Sequence, residues 1–422
     1  MKKLLYVIID GMGDRPDPGL GNHTPLGVAF TPNMDRLAQE GQTGLMYPVG
    51  KDIAPESDVA VLSILGYDVD RYYTGRGPLE AFGAGVPVKT GDLAWRGNFA
   101  TVAGDRIIDR RVGRSLTDAE SAALGDEIRL EVDLPGATYD FRPTVGHRAV
   151  LVIHPLHGEL SAQVDNTDPG YVRHGPYSVA VPNPSDIVQP CRPLSDTPEA
   201  IAAAALTNGF VDASRVVLEN SPVNKRRKQQ GLLPANIVLL RDAGDRLPDL
   251  PSLQLKFGMK FASVVEMPVE RGIAILTGMR EIVVPDLEGR PERDYPKQAR
   301  AALATLPDCD AEYIHLKGPD VFGHDGDARG KATSIEKIDH YFFGELLMAI
   351  DLDRLVIAVT ADHSTPATLK AHSADPVPVL VRAPGLPSDG SQRFDEEVCT
   401  HGRLGTIMGQ ELLPKLVGLT RQ

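Results

Sequence analysis

The sequence predicts an α/β protein with a largely parallel sheet, and two kinds of segment support this fold class. The first is a short, continuous apolar run rich in β-branched residues, as in a strand buried on both faces; such runs occupy 4–9, 311–316, 354–360 and 376–381. The second is an amphipathic helix between two of these runs, with apolar residues at steps of three and four. Strand, helix and strand in this order predict a crossover of an α/β sheet. The apolar face of the helix consists of Ile335, Ile338, Phe342, Leu346 and Ala349.

A further helix is predicted after the loop that follows the first strand. Thr31 and Pro32 supply an N-cap and a proline in the first turn, and Gly41 is a stop signal at the other end. The chain therefore begins with a strand, a loop and a helix, which is the pattern that returns in its last third.

The middle of the chain has a different sequence pattern, which predicts a second domain inserted into the α/β core. From about residue 92 to 190 the sequence has short strand-like pieces such as NFATVA and RAVLVI, many turn residues and few long helical patterns. The basic run KRRK at 225–228, expected to be exposed, leads back to the core. We predict a discontinuous core of residues 1–90 and 225–422 and an inserted, smaller α+β domain of residues 91–224.

The composition restricts the possible partners and location. The 422 residues include 44 Lys and Arg against 57 Asp and Glu, a formal net charge of −13. Such acidity disfavours a surface that tracks nucleic acid or an anionic membrane, and no stretch approaches the ~20 apolar residues of a membrane span. The three cysteines, Cys191, Cys309 and Cys399, are isolated, as is usual in a reducing compartment. We expect a cytoplasmic protein with neither nucleic-acid nor membrane partners.

Aspartate and histidine residues stand at the predicted carboxyl ends of several strands, where open α/β sheets bind ligands. Taken singly, each aspartate is explained as a turn or cap residue and each histidine as a hydrogen-bonded side chain. Taken together, their mixed chemistry suits divalent cations such as Mn²⁺ or Zn²⁺, and their number suits two ions about 4 Å apart that clamp a phosphoryl group. The six candidates are Asp10, Asp320, His324, Asp362, His363 and His372.

Ser57 lies in the segment APESDVAVLSILG, just before a helix-like apolar run. A serine in this place commonly caps its helix. Alternatively, its Oγ lies at the positive end of the helix dipole, where an alkoxide and a phosphoryl group are both favoured, and a nearby metal ion makes it a nucleophile near neutral pH. The sequence leaves both interpretations open.

A set of segments, ordered along nearly the whole chain, resembles the archaeal-type 2,3-bisphosphoglycerate-independent phosphoglycerate mutases of the alkaline phosphatase superfamily. The resemblance implies an alkaline-phosphatase-like, three-layer α/β/α core with an inserted smaller α+β domain. It also implies interconversion of 3-phosphoglycerate and 2-phosphoglycerate without 2,3-bisphosphoglycerate as a cofactor. The segments are VIIDGMGDRP, TPNMDRLAQEG, ESDVAVLSILGYD, YYTGRGPLEAFGAGV, WRGNFATV, DRRVGR, PDVFGHDGD, TADHSTP and AHSADPVPV.

The same resemblance implies residue roles. Ser57 would be the phosphorylated nucleophile, which passes the phosphoryl group from one hydroxyl of glycerate to the other while the inserted domain closes and excludes water. Two divalent ions are expected, with Mn²⁺ or Zn²⁺ favoured and Co²⁺ or Mg²⁺ also compatible. The implied ligands are Asp10, Ser57, Asp362 and His363 for one ion and Asp320, His324 and His372 for the other.

Arginine is the expected partner of a small phosphorylated carboxylate, because its planar guanidinium binds phosphate and carboxylate bidentately. The predicted inserted domain is rich in arginine, notably in the segments WRGNFATV and DRRVGR. A solvated charged edge explains any one of these arginines equally well. The candidates for substrate binding are Arg76, Arg96, Arg110, Arg114, Arg148 and Lys260.

The chain also departs from the family pattern at a few positions. Val321 and Phe322 replace an acidic residue followed by alanine, Gly27 replaces glutamate, and Asp242 replaces glycine. These departures leave three other functions open. They are a metal-dependent phosphatase or phosphodiesterase, a homoserine-kinase-like phosphotransferase, and a binding protein that has lost the chemistry.

Overall fold

The computed structural model describes residues 2–174, 177–181 and 184–422. These residues form two compact units. The first comprises Met1–Tyr72, Leu250–Glu266 and Ile273–Gln422, and the second comprises Tyr73–Asp249 and Met267–Gly272.

The strands, in chain order, are β1 (Lys3–Ile9), β2 (Gln42–Tyr47), β3 (Leu93–Ala103), β4 (Arg106–Asp109), β5 (Ala137–Pro143), β6 (Arg148–Pro155), β7 (Tyr171–His174), β8 (Tyr177–Ala180), β9 (Ile237–Gly244), β10 (Phe261–Val264), β11 (Arg280–Glu281), β12 (Ala311–Leu316), β13 (Leu355–Thr360), β14 (Val377–Arg382) and β15 (Gly405–Met408). The α-helices are α1 (Pro25–Val28), α2 (Pro32–Gln39), α3 (Ser57–Ile64), α4 (Val69–Tyr72), α5 (Arg76–Gly83), α6 (Asp118–Glu131), α7 (Pro198–Asn220), α8 (Pro222–Gln229), α9 (Leu253–Phe257), α10 (Pro268–Leu276), α11 (Pro291–Thr305), α12 (Pro319–Asp325), α13 (Ala328–Lys337), α14 (Gly344–Ala349), α15 (Glu396–Cys399) and α16 (Gly409–Thr420).

The first unit is built on an eight-stranded mixed sheet in the order β11-β10-β12-β1-β13-β14-β2-β15. The central strand β1 runs parallel to both β12 and β13, with Ile9 opposite Leu316 and Ile8 opposite Thr360. Strand β14 is antiparallel to both of its neighbours. The predicted α/β fold class is confirmed, and each of the four apolar runs that predicted it forms a strand of this sheet.

The predicted helix that follows the first strand is α2, but Thr31 does not cap it as expected. The Thr31 side chain makes no capping hydrogen bond. The carboxylate of Asp339 takes its place and accepts hydrogen bonds from the backbone N of Asn33 at 3.2 Å and of Met34 at 2.8 Å. The backbone N–H groups at the amino end of this helix thus donate to a residue more than 300 positions away in the sequence.

The predicted crossover helix is interrupted by a π-helical segment. Helix α13 continues into this segment, Ile338–Phe343, and then into α14. Ile335, Phe342 and Leu346 are buried as expected, whereas Ala349 is exposed. A π turn rotates the residues that follow it relative to an α-helix, so the steps of three and four no longer describe a single face.

The second unit contains a five-stranded antiparallel sheet in the order β4-β3-β6-β5, with β9 also paired to β3. The second unit begins before residue 91 and ends after residue 224, the two bounds predicted for the inserted domain. One reason is the pairing of β9 with β3, and the other is the packing of α5 on β3, where a Cβ on Gly77 would lie 2.3 Å from the carbonyl oxygen of Ala94. Helices α6 and α7 contribute Leu124 and Phe210 to its apolar core.

Arg227, within the basic run KRRK, is buried rather than exposed as predicted. Its guanidinium is 0 % exposed. It donates hydrogen bonds to Glu120 at 2.8 Å, to Ser115 Oγ at 2.7 Å and to the carbonyl oxygen of Leu233 at 2.9 Å. A buried guanidinium is tolerated because its donors are matched in this way.

One helix among the described residues, Pro198–Asn220, is long and apolar enough to cross a membrane, although no such stretch was expected from the sequence. Its residues Ala203, Phe210 and Leu218 are buried in the core of the second unit, as in a core helix of a globular domain. The cytoplasmic location stays a prediction.

Glu312 on β12 supplies a test of burial in the first unit through the dependence of stability on pH. Its side chain is 0 % exposed, and burial raises its pKa from 4.5 to about 8. Between these two pH values the folded protein keeps a proton that the unfolded chain releases, so this group lowers stability as pH rises, by about 1.4 kcal/mol per pH unit. We expect Glu312→Gln to remove that loss, so that the variant gains stability over the wild type from pH 5 to pH 8.

The measurement is the thermal unfolding midpoint of both proteins at several pH values. Glu131→Gln, on the exposed last turn of α6, is the matched control and should follow the wild type throughout. A Glu312→Gln curve parallel to that of the wild type would contradict the burial argument.

Candidate active site

The seven predicted metal-site residues all lie in the first unit, close to the carboxyl ends of its central strands. Asp10 directly follows β1, and Asp362 and His363 follow β13. Because β1 lies beside β13, the loops after them meet: the backbone N of Gly11 and that of His363 donate to Asp362 Oδ1 at 3.0 and 3.1 Å.

The first group of candidate ligands surrounds the imidazole of His363. His363 Nε2 lies 3.4 Å from Asp10 Oδ1, 3.2 Å from Asp362 Oδ2 and 3.2 Å from Ser57 Oγ. Asp10 Oδ1 and Asp362 Oδ2 are buried and accept no hydrogen bond from the described residues. Two buried carboxylate oxygens and a ring nitrogen directed at one another fit a divalent cation.

The second group is centred on Asp320, at the start of α12. Asp320 Oδ1 lies 3.6 Å from His324 Nε2 and 3.5 Å from His372 Nε2. The rings of His372 and His363 are stacked, with centroids 3.8 Å apart. Ligand atoms of Asp320, His363 and His372 lie within 4.8 Å of one another, so His363 adjoins both groups.

Ser57 is the first residue of α3, and Glu56 precedes it as the N-cap. The serine therefore does not occupy the capping position of its helix. Its Oγ points to His363 and lies at the amino end of an eight-residue helix, where the dipole favours negative charge.

The charges of the first group depend on one another. Burial raises the pKa of Asp362, but His363 outweighs this effect and holds it at about 2. Burial also raises the pKa of Asp10, and Lys317 with His363 lowers it well below its usual range. Burial alone would lower the pKa of His363, yet Asp362, Asp10 and Asp320 raise it well above the usual value. The pocket thus holds anionic carboxylates that require cationic partners.

Sequence reasoning missed two polar residues of this site. Lys317 directly follows β12, and its Nζ lies 3.1 Å from Asp10 Oδ2. It follows a strand end as Asp10 does, but a lysine ammonium is not a metal ligand. Thr365 was missed because its partners, described below, come from distant parts of the chain.

Three of the predicted substrate-binding arginines gather in the second unit around Glu80. Arg76 Nε and Arg96 Nε lie 3.0 and 3.4 Å from Glu80 Oε2. Burial raises the pKa of Glu80, and Arg96, Arg76 and Arg148 outweigh this effect and lower it. Burial lowers the pKa of His147 to about 3, and nearby arginines add to this effect, with Arg148 first among them. This part of the second unit is strongly cationic.

The other three candidates are separate from that group around Glu80. Arg110 pairs with the buried Asp168, and its guanidinium lies 5.7 Å from the centre of the Tyr171 ring. Arg114 is exposed in the 3₁₀ turn Val112–Arg114. Lys260 is exposed directly before β10, at the amino end of the parallel strands. The structure does not bring Lys260 to the strand ends that carry Asp10 and Asp362.

Gly11 gives a structural test of the crowding in this site. Its φ is +61°, and a Cβ there would lie 2.8 Å from atoms of both Asp320 and Thr365. We expect Gly11→Ala to lose roughly 1–3 kcal/mol from overpacking in addition to the penalty for a left-handed alanine. Gly21 has a φ of +68° with nothing within 4 Å, so Gly21→Ala isolates that penalty. Equal drops in the thermal unfolding midpoint of the two variants would contradict the crowding.

Comparison with known proteins places this chain in a family. A family model of the 2,3-bisphosphoglycerate-independent phosphoglycerate mutases matches residues 38–224. Proteins of that name from Aeropyrum pernix and Methanopyrus kandleri are 44% and 42% identical to this chain; they match over 99% and 98% of it and over 99% and 95% of their own lengths.

Two solved structures are similar to this chain over nearly its whole length, and one of them carries the name of the enzyme. The cofactor-independent phosphoglycerate mutase from Thermoplasma acidophilum is 33% identical with a TM-score of 0.63, and each chain is covered completely. A protein from Pyrococcus horikoshii is 31% identical with a TM-score of 0.81, over 100% of this chain and 97% of its own. The resemblance recognised in the ordered segments is confirmed, and the chain belongs to the 2,3-bisphosphoglycerate-independent phosphoglycerate mutase family.

Proposed function

We propose that this chain interconverts 3-phosphoglycerate and 2-phosphoglycerate by two phosphoryl transfers through a phosphorylated Ser57. The observation that carries the proposal is the position of Ser57 Oγ, 3.2 Å from His363 Nε2 and beside Asp10 and Asp362. Relatives at 37–44% identity over nearly the whole chain carry the name of this enzyme. The name also indicates that 2,3-bisphosphoglycerate is not a cofactor.

Two divalent cations, Mn²⁺ or Zn²⁺ in the first place, are part of this proposal. The buried oxygens of Asp10 and Asp362 that accept no hydrogen bond from the described residues support the first ion, and the convergence of Asp320, His324 and His372 supports the second. Bound there, such ions lower the pKa of the serine hydroxyl and neutralise charge on the phosphoryl oxygens. The proposed ligands are Asp10, Ser57, Asp362 and His363 for one ion and Asp320, His324 and His372 for the other.

The proposed reaction assigns a role to each of several residues of the chain. Ser57 Oγ attacks the phosphorus of 3-phosphoglycerate, the bond from phosphorus to the substrate oxygen breaks, and glycerate stays bound. The oxygen freed in this transfer takes the proton that Ser57 loses. The oxygen of the 2-hydroxyl of glycerate then attacks the same phosphorus, the bond from phosphorus to Ser57 Oγ breaks, and the proton of that hydroxyl returns to Ser57 Oγ as 2-phosphoglycerate forms. The ammonium of Lys317 beside Asp10 supplies a fixed positive charge next to the carboxylates.

The second unit is proposed to bind the substrate. Its arginines would bind the carboxylate of the substrate through their planar guanidinium groups. Arg76, Arg96 and Arg148 are the best supported of these, because they form one cationic group. The substrate is thus a small phosphorylated carboxylate.

Removal of the Ser57 hydroxyl tests the nucleophile. We expect Ser57→Ala to reduce formation of 2-phosphoglycerate from 3-phosphoglycerate at least a thousandfold, since the proposed phosphoryl intermediate forms on the Ser57 hydroxyl. Ser63→Ala, a buried position on the same helix, is the control and should keep the wild-type rate. Full turnover of Ser57→Ala would remove the serine from the mechanism.

The products of the wild-type reaction test the function itself. Accumulation of 2-phosphoglycerate supports the mutase. Free phosphate alone would identify a hydrolase, and the absence of both products would leave phosphotransfer to another acceptor or a protein without this chemistry.

Removal of divalent cations tests the metal dependence. We expect exhaustive chelation to abolish turnover and added Mn²⁺ to restore it, because the carboxylates and Ser57 then lack the cations that organise them. Chelator already saturated with Mn²⁺ is the control and should leave the rate unchanged. Unaltered turnover in metal-free protein would refute the two-ion site.

A further inference from the structure

Thr365 lies between the two groups of candidate ligands. It follows His363 by two residues and is 0 % exposed. Its Oγ1 lies 3.0 Å from His363 Nδ1 and donates a hydrogen bond to Asp320 Oδ1 at 2.8 Å. One hydroxyl group therefore contacts a candidate ligand of each ion.

The hydrogen-bond chemistry of this hydroxyl has one consistent arrangement. An ionised carboxylate only accepts, so the single proton of Thr365 goes to Asp320. Towards His363 the hydroxyl must then accept, and Nδ1 must carry a proton. In the neutral imidazole this leaves the lone pair on Nε2, the nitrogen that faces Asp10, Asp362 and Ser57.

The backbone of Thr365 is held in place independently of its side chain. The buried ammonium of Lys331 donates to the carbonyl oxygens of Thr365 and Gly13, both at 2.9 Å, and to Asp14 Oδ2 at 2.7 Å. The backbone N of Thr365 donates to the Gly13 carbonyl oxygen at 3.0 Å. On the other side, a Cβ on Gly323 would lie 2.3 Å from the Thr365 carbonyl oxygen. The residue has no room to shift.

We propose that Thr365 is a positioning residue that couples the two ion sites. It orients His363 of the first site and Asp320 of the second through one hydroxyl, so that an ion in either site fixes a ligand of the other. The two divalent cations then bind cooperatively. This inference rests on the two-ion site of the proposed function.

The test compares two substitutions in the full-length protein. Thr365→Val keeps the shape and removes the hydroxyl, whereas Thr365→Ser keeps the hydroxyl. Metal-free proteins are titrated with Co²⁺, and binding is followed by visible absorption and by calorimetry. We expect the wild type and Thr365→Ser to bind two ions cooperatively, and Thr365→Val to bind them independently and about ten- to a hundredfold more weakly.

Other results overturn the inference. If Thr365→Val bound Co²⁺ with the affinity and cooperativity of the wild type, the coupling would be contradicted and the two-ion site would stand. Equal losses in Thr365→Val and Thr365→Ser would also contradict the coupling, because they would indicate an effect of packing and not of the hydroxyl. A wild type that binds no Co²⁺ would refute the two-ion site and the coupling with it. Thr365→Ala also lacks the hydroxyl and takes the place of Thr365→Val if the valine variant does not fold.

Discussion

The site depends on the register of three parallel strands. Strand β1 pairs with β12 on one side and β13 on the other, and the three strands end nearly level, with Ile9 opposite Leu316 and Ile8 opposite Thr360. The next residues of each strand therefore meet at one edge of the sheet. A shift of one residue in either pairing would turn alternate side chains to the other face and separate Asp10 from Asp362.

This meeting of strand ends brings acidic groups together in a buried place. Isolated buried carboxylates are strongly disfavoured, so the pocket must contain cations. In the chain alone, Lys317 and the proton of His363 balance Asp10 and Asp362. The same buried carboxylates make the pocket suitable for divalent ions, each of which carries twice the charge of a histidine proton.

The sequence predicted those features that depend on local pattern. The strands before Asp10 and Asp362 are continuous apolar runs, so their carboxyl ends, and hence the clustering of the acids, could be predicted. Contacts that join distant segments could not: Asp339 caps α2, and Thr365 contacts Asp320. Lys260 was chosen for its charge, although it precedes a strand and so lies at the opposite end of the sheet from Asp10.

The arginines show a second limit of prediction from sequence pattern. A run of basic residues predicts a cationic surface, but the structure sets carboxylates among them, with Glu80 between Arg76 and Arg96 and Asp168 against Arg110 and Arg241. These carboxylates fix the guanidinium planes and reduce their net charge. Binding of an anion by such a group depends on prior orientation as much as on total charge.

The buried pair of Lys331 and Asp14 explains how the ligand loops keep their geometry. A buried ion pair is a weak source of stability, because desolvation offsets most of the attraction. Here the Lys331 ammonium reaches two backbone carbonyl oxygens in addition to Asp14, while Asp14 accepts from the backbone N of Ala367. The pair therefore ties the loop after β1 to the loop after β13. Its value to the protein lies in holding Asp10 and His363 in a fixed relation before any ligand binds.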